Sequence, residues 1–590
     1  MLDRIIAASL RNRGGVLAAT LVLLLVGIWA FSRLPIDAVP DITNNQVQIL
    51  TEGPALSALE IERFVTLPIE LAVKSTPDVV ELRSLSRPGL SVVTVVFDDN
   101  VDIYFARQLL LEGLRSVDEK LPRGVGRPEL GPVTTGLGEI FRYVVRDTTG
   151  RLSAADLRSI QDWIVRRGIL GADALAEVNS LGGELKQYRV TVDPDRLAAY
   201  NLTLREVFHA ATEASGNAGG GYIETGPEQL AVRSVALATS LDDLRRTVVR
   251  TANDGVPVTL GDVAEIETGP ALRFGSASQD GGGEVVVGIV MQLKGSNART
   301  TVAGVKERIE AIVPSLPDGV VVEPFYDREE LVDRTIATVA TNLVEGALLV
   351  IGVLLLLLVS LRAGLVVASV IPLAMCFAGI MMLVTGQSGN LMSLGAIDFG
   401  LVVDGSLIIV ENVLRLLDRF RSGPGAPADG RIDAELSRRI VYDGAIEVRK
   451  AAQYGEIIII VVYLPILTLG GIEGKLFGPM ALTVSFALIG ALLLSITYVP
   501  ALLSFLLPGQ KKIRHSPIIE SMRRLYRRLL DRALIRPTVV IASTILLVAL
   551  GLFGFTRLGG EFIPRLDEGD IAMHLIRLPS ISLTESQKLT

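Results

Sequence analysis

Seven stretches of about 20 mostly apolar residues punctuate the chain, near 14–32, 336–360, 364–385, 391–414, 453–470, 476–506 and 537–557. That length covers roughly 30 Å of hydrocarbon, so each predicts a membrane-spanning helix. Between the first and second, residues 33–335 switch instead between strand-like alternation and helical periodicity. Val47 to Leu50 reads as a strand, and Ser57 with Glu60 forms a capping box opening a helix through Lys74. Val79–Ser84 and Ser91–Phe97 then alternate as paired strands around the turn Arg87, Pro88, Gly89, and Asp102 caps a helix to about Leu121. That order is the split βαβ pattern of ferredoxin-like domains. A second pass starts with a strand at Glu139–Val145 and a helix at Ala154–Ile169. Its return half comes only after Pro270, as strand Glu284–Leu293, helix Ala303–Val313 and strand Val320–Pro324. Residues 183–270 therefore read as an insertion. The Gly219–Gly221 and Gly281–Gly283 runs read as turns, since neither precedes a helix with a phosphate-loop lysine.

Basic residues orient the spans. Arg4, Arg11 and Arg13, then Arg362, then Arg415, Arg419, Arg421, Arg438 and Arg439, and finally the stretch Lys511–Arg536 fall in every second segment flanking the spans, all on one side. Lys and Arg mark cytoplasmic flanks, so residues 33–335 face outward. In the last basic stretch, arginines 523, 524, 527, 528 and 532 interleave with Met522, Leu525, Leu529, Leu530 and Leu534, predicting an amphipathic helix on the lipid surface. The first span has a rival reading as a cleaved signal peptide. An internal repeat favours an uncleaved anchor: a shift of 524 residues aligns Leu10 with Leu534, Gly27 with Gly551, Phe31 with Phe555, Arg33 with Arg557 and Pro40 with Pro564. Duplicated transporter halves produce such repeats. The second copy reaches only Thr590, which reads as one half of a protein about twice as long.

The domains expected are a first span (1–32), an outward module (33–135), a second module in two pieces (136–182 and 271–335) with its insert (183–270), and spans two to six (336–506). A cytoplasmic amphipathic helix (507–536), a seventh span (537–557) and the start of a second outward region (558–590) complete it. Composition agrees: 49% hydrophobic residues and a mean hydropathy of +0.46 exceed an ordinary soluble protein, while 21% charged residues demand a large aqueous part. A net charge of −7 gives no support to a nucleic-acid partner. Cys376 is the single cysteine, which excludes an intrachain disulfide.

Chemistry concentrates on the fourth span, where Asp398, Asp404 and Glu411 interrupt an apolar run. Each lone charge at mid-bilayer costs about 2.5 to 3.5 kcal/mol on insertion scales, so three acids on one helix suggest a path for protons or cations. On a continuous helix Asp398 and Asp404 lie about 9 Å apart along the axis, and Asp404 and Glu411 about 10.5 Å. Asp404 and Glu411 then share a face, with Asp398 turned about 120° away. Neither gap closes with one hydrogen bond, so transfer needs waters, other side chains or helix motion. Gly395, Gly400, Gly405 and Ser406 leave room for close helix packing around acids expected to be buried. The competing reading is an acid paired with a basic residue elsewhere.

Read from Asp398, the segment D-F-G-L-V-V-D-G-S-L-I-I-V-E-N resembles the signature of heavy-metal exporters of the resistance-nodulation-division (RND) superfamily, in its cobalt-zinc-cadmium branch. A-V-P-D-I-T-N from Ala38, D-I-Y-F-A-R-Q from Asp102, G-L-G-E-I-F-R-Y from Gly136 and E-F-I-P-R-L-D-E-G-D from Glu561 extend the resemblance over essentially the whole chain. It implies RND architecture: a multi-span α-helical membrane protein with a large periplasmic α+β region of ferredoxin-like (βαββαβ) modules. It further implies a homotrimeric proton antiporter in the Gram-negative inner membrane, passing metal ions to a periplasmic adaptor protein and an outer-membrane channel. The modules would be porter subdomains, and residues 183–270 a docking subdomain. Asp398, Asp404 and Glu411 match the family's proton-path acids by position. Drug-exporting relatives carry two adjacent aspartates where this chain has Asp404 and Gly405, while Ser406 replaces the branch's usual alanine.

Ligand chemistry separates the metals. Cu(I) and Ag(I) prefer sulfur, whereas Zn(II), Co(II) and their neighbours accept carboxylate and imidazole. Residues 33–335 contain no Cys and only one Met, Met291. Copper and silver exporters also lack an acid matching Asp398 and usually carry an aromatic residue in place of Glu139. A transported divalent ion (Zn, Co, Cd or Ni) is therefore expected, with no resident cofactor. Glu139 is the leading metal-contact candidate, followed by Glu568, Asp570 and His574; each also reads as an ordinary strand or loop residue. His209 and His515 stand apart from them, and no His/Cys pattern of a tight metal site occurs. The alternatives are an RND exporter of Cu(I)/Ag(I) or of organic compounds, and a membrane-anchored periplasmic sensor, which would lack mid-membrane acids. No nucleophile, base and acid grouping suggests an enzyme.

Overall fold

Two sheets in the region between the first and second spans are built to one plan. The computed structural model describes residues 2–37, 39–54, 56–216, 219–233, 237–251, 255–273, 275–358, 360–422, 434–506, 517–559, 573–578 and 581–590. They fall into two compact units: Met1–Gly138, Leu293–Thr300 and Arg328–Gly569 in one, and Glu139–Gln292, Thr301–Asp327 and Asp570–Thr590 in the other.

In the first unit, strands β1 (Gln46–Gly53), β2 (Val79–Arg87), β3 (Gly89–Phe97) and β4 (Glu129–Leu130) form an antiparallel sheet in the order β2-β3-β1-β4. Register sets Ile49 opposite both Val93 and Leu130. Alternation along β1 and β3 sends Val47, Ile49, Val93, Val95 and Phe97 into a core closed by Ile61, Val65, Ile69, Ala106 and Leu110. The first helix opens with the expected capping box between Ser57 and Glu60. Asp102 caps the second helix by accepting from the amides of Tyr104 and Phe105. The hairpin between β2 and β3 turns at Gly89, whose φ of 81° is readily available only to glycine.

The second unit repeats the plan with β5 (Glu139–Asp147), β6 (Leu175–Leu181), β14 (Glu284–Gln292) and β15 (Val320–Asp327). β14 pairs with both β5 and β6, and β15 with β5, so the order β6-β14-β5-β15 reproduces that of the first sheet. β6 is absent from the sequence reading. Its run L-A-E-V-N-S-L places one fully buried residue, Val178, among five half-buried ones, with no alternation to mark a strand. Ser153 and Asp156 repeat the capping box, and both first helices carry one π turn, Glu62–Thr66 and Gln161–Val165. Where the first sheet has its tight turn, the second has a separate subdomain. There β7 (Lys186–Val192) pairs along its length with β12 (Ala264–Pro270) over a small core including Leu202, Val207, Leu260 and Ile266. The subdomain carries an exposed hairpin, β8 (Gly219–Thr225) with β9 (Glu228–Arg233).

Six described helices are long and apolar enough to span a membrane, and a seventh span results if the bent pair Glu435–Val448 and Gln453–Thr468 counts as one. The second helix, Arg328–Leu358, starts earlier than its apolar run predicts. The third (Leu361–Val384) and sixth (Gly471–Ile496) are the most enclosed, and among the described residues the last, Pro537–Phe555, has none buried. Val367, Val370 and Ala374 of the third pack against Val403, Val410 and Val413 of the fourth and Ala487 and Ala491 of the sixth. Lipid supplies no hydrophobic drive between helices, so close approach must supply the attraction. Gly27 lies directly against Cys376, and a Cβ on Gly490 would meet Phe377 at 2.9 Å. The amphipathic helix is present as Pro517–Ile535, with Met522, Leu525 and Leu529 exposed.

Candidate functional site

The fourth span is two helices rather than one. Asn390 caps Leu391–Gly395 through a reciprocal box with Ser393, the chain then breaks at 396–398, and a second helix runs Phe399–Ser422. Asp398 stands at that break, where its carboxylate accepts the Gly400 amide at 2.8 Å. The uniform helical spacing expected between Asp398 and Asp404 does not apply, because Asp398 precedes the regular helix. It occupies the place of an N-cap, where a carboxylate is stabilised by otherwise unpaired amides.

Asp404 and Glu411 do share one face of Phe399–Ser422, opposite the buried Val402, Val403, Ile409, Val410 and Val413. The expected burial is not supplied by this chain: Asp398, Asp404 and Glu411 are all exposed. The core residues occupy the other side of the helix, so the acids line an uncovered stripe of a membrane span. The adjoining stripe faces the fifth span. Asn412 donates to Gly444 O at 2.8 Å and to Glu447 at 3.1 Å, while Arg415 donates to Glu447 at 2.8 Å. Gly405 abuts Glu456, which is 4% exposed: a Cβ on Gly405 would overlap its carboxyl, with even the farther oxygen only 3.2 Å away.

Glu456 escaped the sequence reading because it opens the run G-E-I-I-I-I, where a single polar residue resembles a span end. The signal was its own position inside the predicted fifth span, together with a neighbouring span that carries glycine beside an acid.

Of the outward candidates, Glu139 begins β5 and is held by Arg142, whose guanidinium lies 5.5 Å from the centre of the Tyr326 ring. Met291 lies opposite Glu139 in register, and its sulfur accepts from Asn179 at 3.4 Å. His574 is exposed, and Glu568 and Asp570 lie outside the described residues. His209 pairs with Glu213 on an exposed helix face. Among the described residues no three acids, histidines or cysteines gather as a metal-holding group.

Polar contacts tie the membrane helices to the first sheet. Lys475, in the opening turns of the sixth span, pairs with Asp99 and donates to Thr43 O at 3.0 Å. Nearby Lys294 donates to Asn45 at 3.1 Å. Burial pulls the Lys294 ammonium below the ordinary lysine range, with Asp41 opposing.

The sequence pattern of the AcrB/AcrD/AcrF family matches residues 5–590. The chain is 43% identical over its whole length to the cation efflux system protein CzcA of Alcaligenes sp. (strain CT14), and 42% identical to the cobalt-zinc-cadmium resistance protein CzcA of Cupriavidus metallidurans. It spans about half of those relatives, 55% of the length of each. The fold is similar to the crystal structure of a heavy metal efflux pump, with a TM-score of 0.83 at 32% identity over 99% of this chain and 55% of that one. Family pattern, sequence and fold agree: this chain belongs to the AcrB/AcrD/AcrF family, in the heavy-metal efflux branch of the RND superfamily.

Proposed function

We propose that the chain forms the proton-accepting membrane half and the first porter region of a pump that exports divalent heavy-metal cations in exchange for protons. The observation that carries this reading is the alignment of Asp404 and Glu411 on one uncovered face of a membrane helix, with Asp398 at the break above them. Uncovered acids in hydrocarbon are costly, so this face calls for a cover from outside the chain, and protonation is the cheapest way to neutralise them. Changing their charge would alter how the fourth span packs. Lys475 and its bonds to Asp99 and Thr43 offer a route for such a change to reach the first porter sheet.

A relative named for cobalt, zinc and cadmium resistance supports the divalent cargo. So does the shortage of sulfur ligands between residues 33 and 335. Glu139 is the proposed contact for the passing ion, which must displace Arg142, while Glu568, Asp570 and His574 are further candidates from the second periplasmic stretch. The setting proposed is the inner membrane of a Gram-negative cell, with residues 33–335 in the periplasm, a homotrimeric pump, an adaptor protein and an outer-membrane channel. The exposed β8–β9 hairpin, with Tyr222, Ile223 and Leu230 open to solvent, supports a protein partner, since a lone two-stranded hairpin is marginally stable. Transport into inverted vesicles under an imposed pH gradient tests the reading. Uptake of Zn(II), Co(II) or Cd(II) that collapses with the gradient is expected; uptake of Cu(I), Ag(I) or organic cations alone would refute the divalent assignment.

A further inference from the structure

Glu456 is a buried acid that no part of the proposed path uses. It sits on the fifth span with 4% of its surface exposed, and its Oε2 is enclosed without a hydrogen-bond partner among the described residues. Its carboxyl lies against the backbone of Gly405, the residue after Asp404, and only a glycine leaves room for it there. One turn away, Gln453 is 7% exposed and its amide nitrogen is also unpartnered among the described residues. A permanently ionised carboxylate in this position would need a cation. The acid beside the contact is Asp404, which precedes Gly405 on the fourth span. The sixth span carries only Glu473 and Lys475, both in its opening turns, and Lys475 is paired with Asp99. Helix Tyr498–Leu506 offers the Tyr498 hydroxyl, which lies 3.0 Å from Ser369 Oγ. On the N-terminal helix, which Asp3 and Arg4 open, Arg11 lies with Glu435, Arg438 and Tyr442, several turns from Glu456 along the fifth span.

We propose that Glu456 is a second proton-carrying site of the membrane part, exchanging H⁺ with Asp404 across the Gly405 contact. The step balances without a further reactant: the Asp404 acid and the Glu456 carboxylate become the Asp404 carboxylate and the Glu456 acid. Acids on the two sides of one helix contact favour sharing one proton over ionising together. The inference rests on the proton-coupled reading above and extends it from one helix to two. Glu456 thereby gives the fourth and fifth spans a shared charge state, so that loading or releasing a proton changes the contact between them.

The test uses the full-length protein in lipid, labelled with ¹³C-glutamate. Infrared difference spectra should show the carbonyl stretch of a protonated glutamate at a pH where exposed glutamates are ionised. Glu456→Gln should abolish that band and shift the pH midpoint of metal-driven proton flux by about one unit, a tenfold change in proton affinity. Glu456→Asp should keep both the band, at the aspartate position, and a flux that titrates. Absence of the glutamate band in the unsubstituted protein overturns the proposal whether or not the variants fold. An unchanged flux profile in Glu456→Gln, with flux abolished in Asp404→Asn, overturns the role of Glu456 and leaves that of Asp404 standing. Parental flux in Asp404→Asn overturns both.

Discussion

Arg328, buried at the first residue of the second span, donates through Nη2 to Asp37 Oδ1 at 2.8 Å, just beyond the end of the first span. Its other terminal nitrogen donates to the carbonyl of Leu137. One guanidinium thus clamps two membrane helices and the end of the first α+β module. Removing one partner of a buried ion pair costs about 3 kcal/mol or more, because the other is left unmatched. Arg328→Ala should lower the thermal midpoint in detergent accordingly. Arg328→Lys should recover less than half of the loss, since an ammonium lacks the planar fork.

Packing between the first and third spans gives a second prediction. Gly27 meets the Cβ and Sγ of Cys376 with no space for a side chain. Gly27→Ala should destabilise the membrane part by about 1 to 3 kcal/mol, the usual range for overpacking. Cys376→Gly in the same chain should recover part of it, read as a double-mutant cycle of unfolding midpoints.

Acid should weaken the second α+β sheet through Asp147. The Thr149 hydroxyl, followed by the amides of Leu152, Thr149 and Arg151, holds this carboxyl down to about 2. A carboxyl lowered on folding contributes stability above its unfolded value of about 3.9, and loses it as pH falls through the folded value. The stability difference between the parent and Asp147→Asn should therefore be constant above about pH 5 and vanish toward pH 2. Unfolding midpoints across that window measure it.

Glu139 is engaged by Arg142, so a metal ion taken up there, as proposed, would compete with the guanidinium for one carboxylate. Arg142→Gln should tighten binding of Co(II) or Zn(II), and Glu139→Gln should weaken it by about tenfold, as expected for one lost charge-assisted contact. Titration calorimetry of the two variants would show these opposite signs. Equal affinities would remove Glu139 from the path.

How much the sequence revealed depended on whether a feature was local. The capping box of Ser57 and Glu60, the strand pair around Gly89 and the Asp102 cap are contained within a few residues, and all three occur as read. β6 was lost because its strand status comes from pairing with β14, which begins about a hundred residues later. The break at 396–398 was also hidden. Its residues Ala396, Ile397 and Asp398 carry neither Pro nor Gly, and Gly395 was read as a packing site instead of a helix end. Asp404 and Glu411 were legible from their spacing alone, whereas Glu456 becomes visible only when the fourth and fifth spans are placed side by side.

Metal-driven proton flux through Asp404→Asn, reconstituted in liposomes with a pH-sensitive dye inside, tests the central claim most directly. The account predicts that flux and metal transport both disappear while the variant inserts, assembles and unfolds like the parent. Transport at the parental rate, with its dependence on the pH gradient intact, would contradict a proton role for the fourth span.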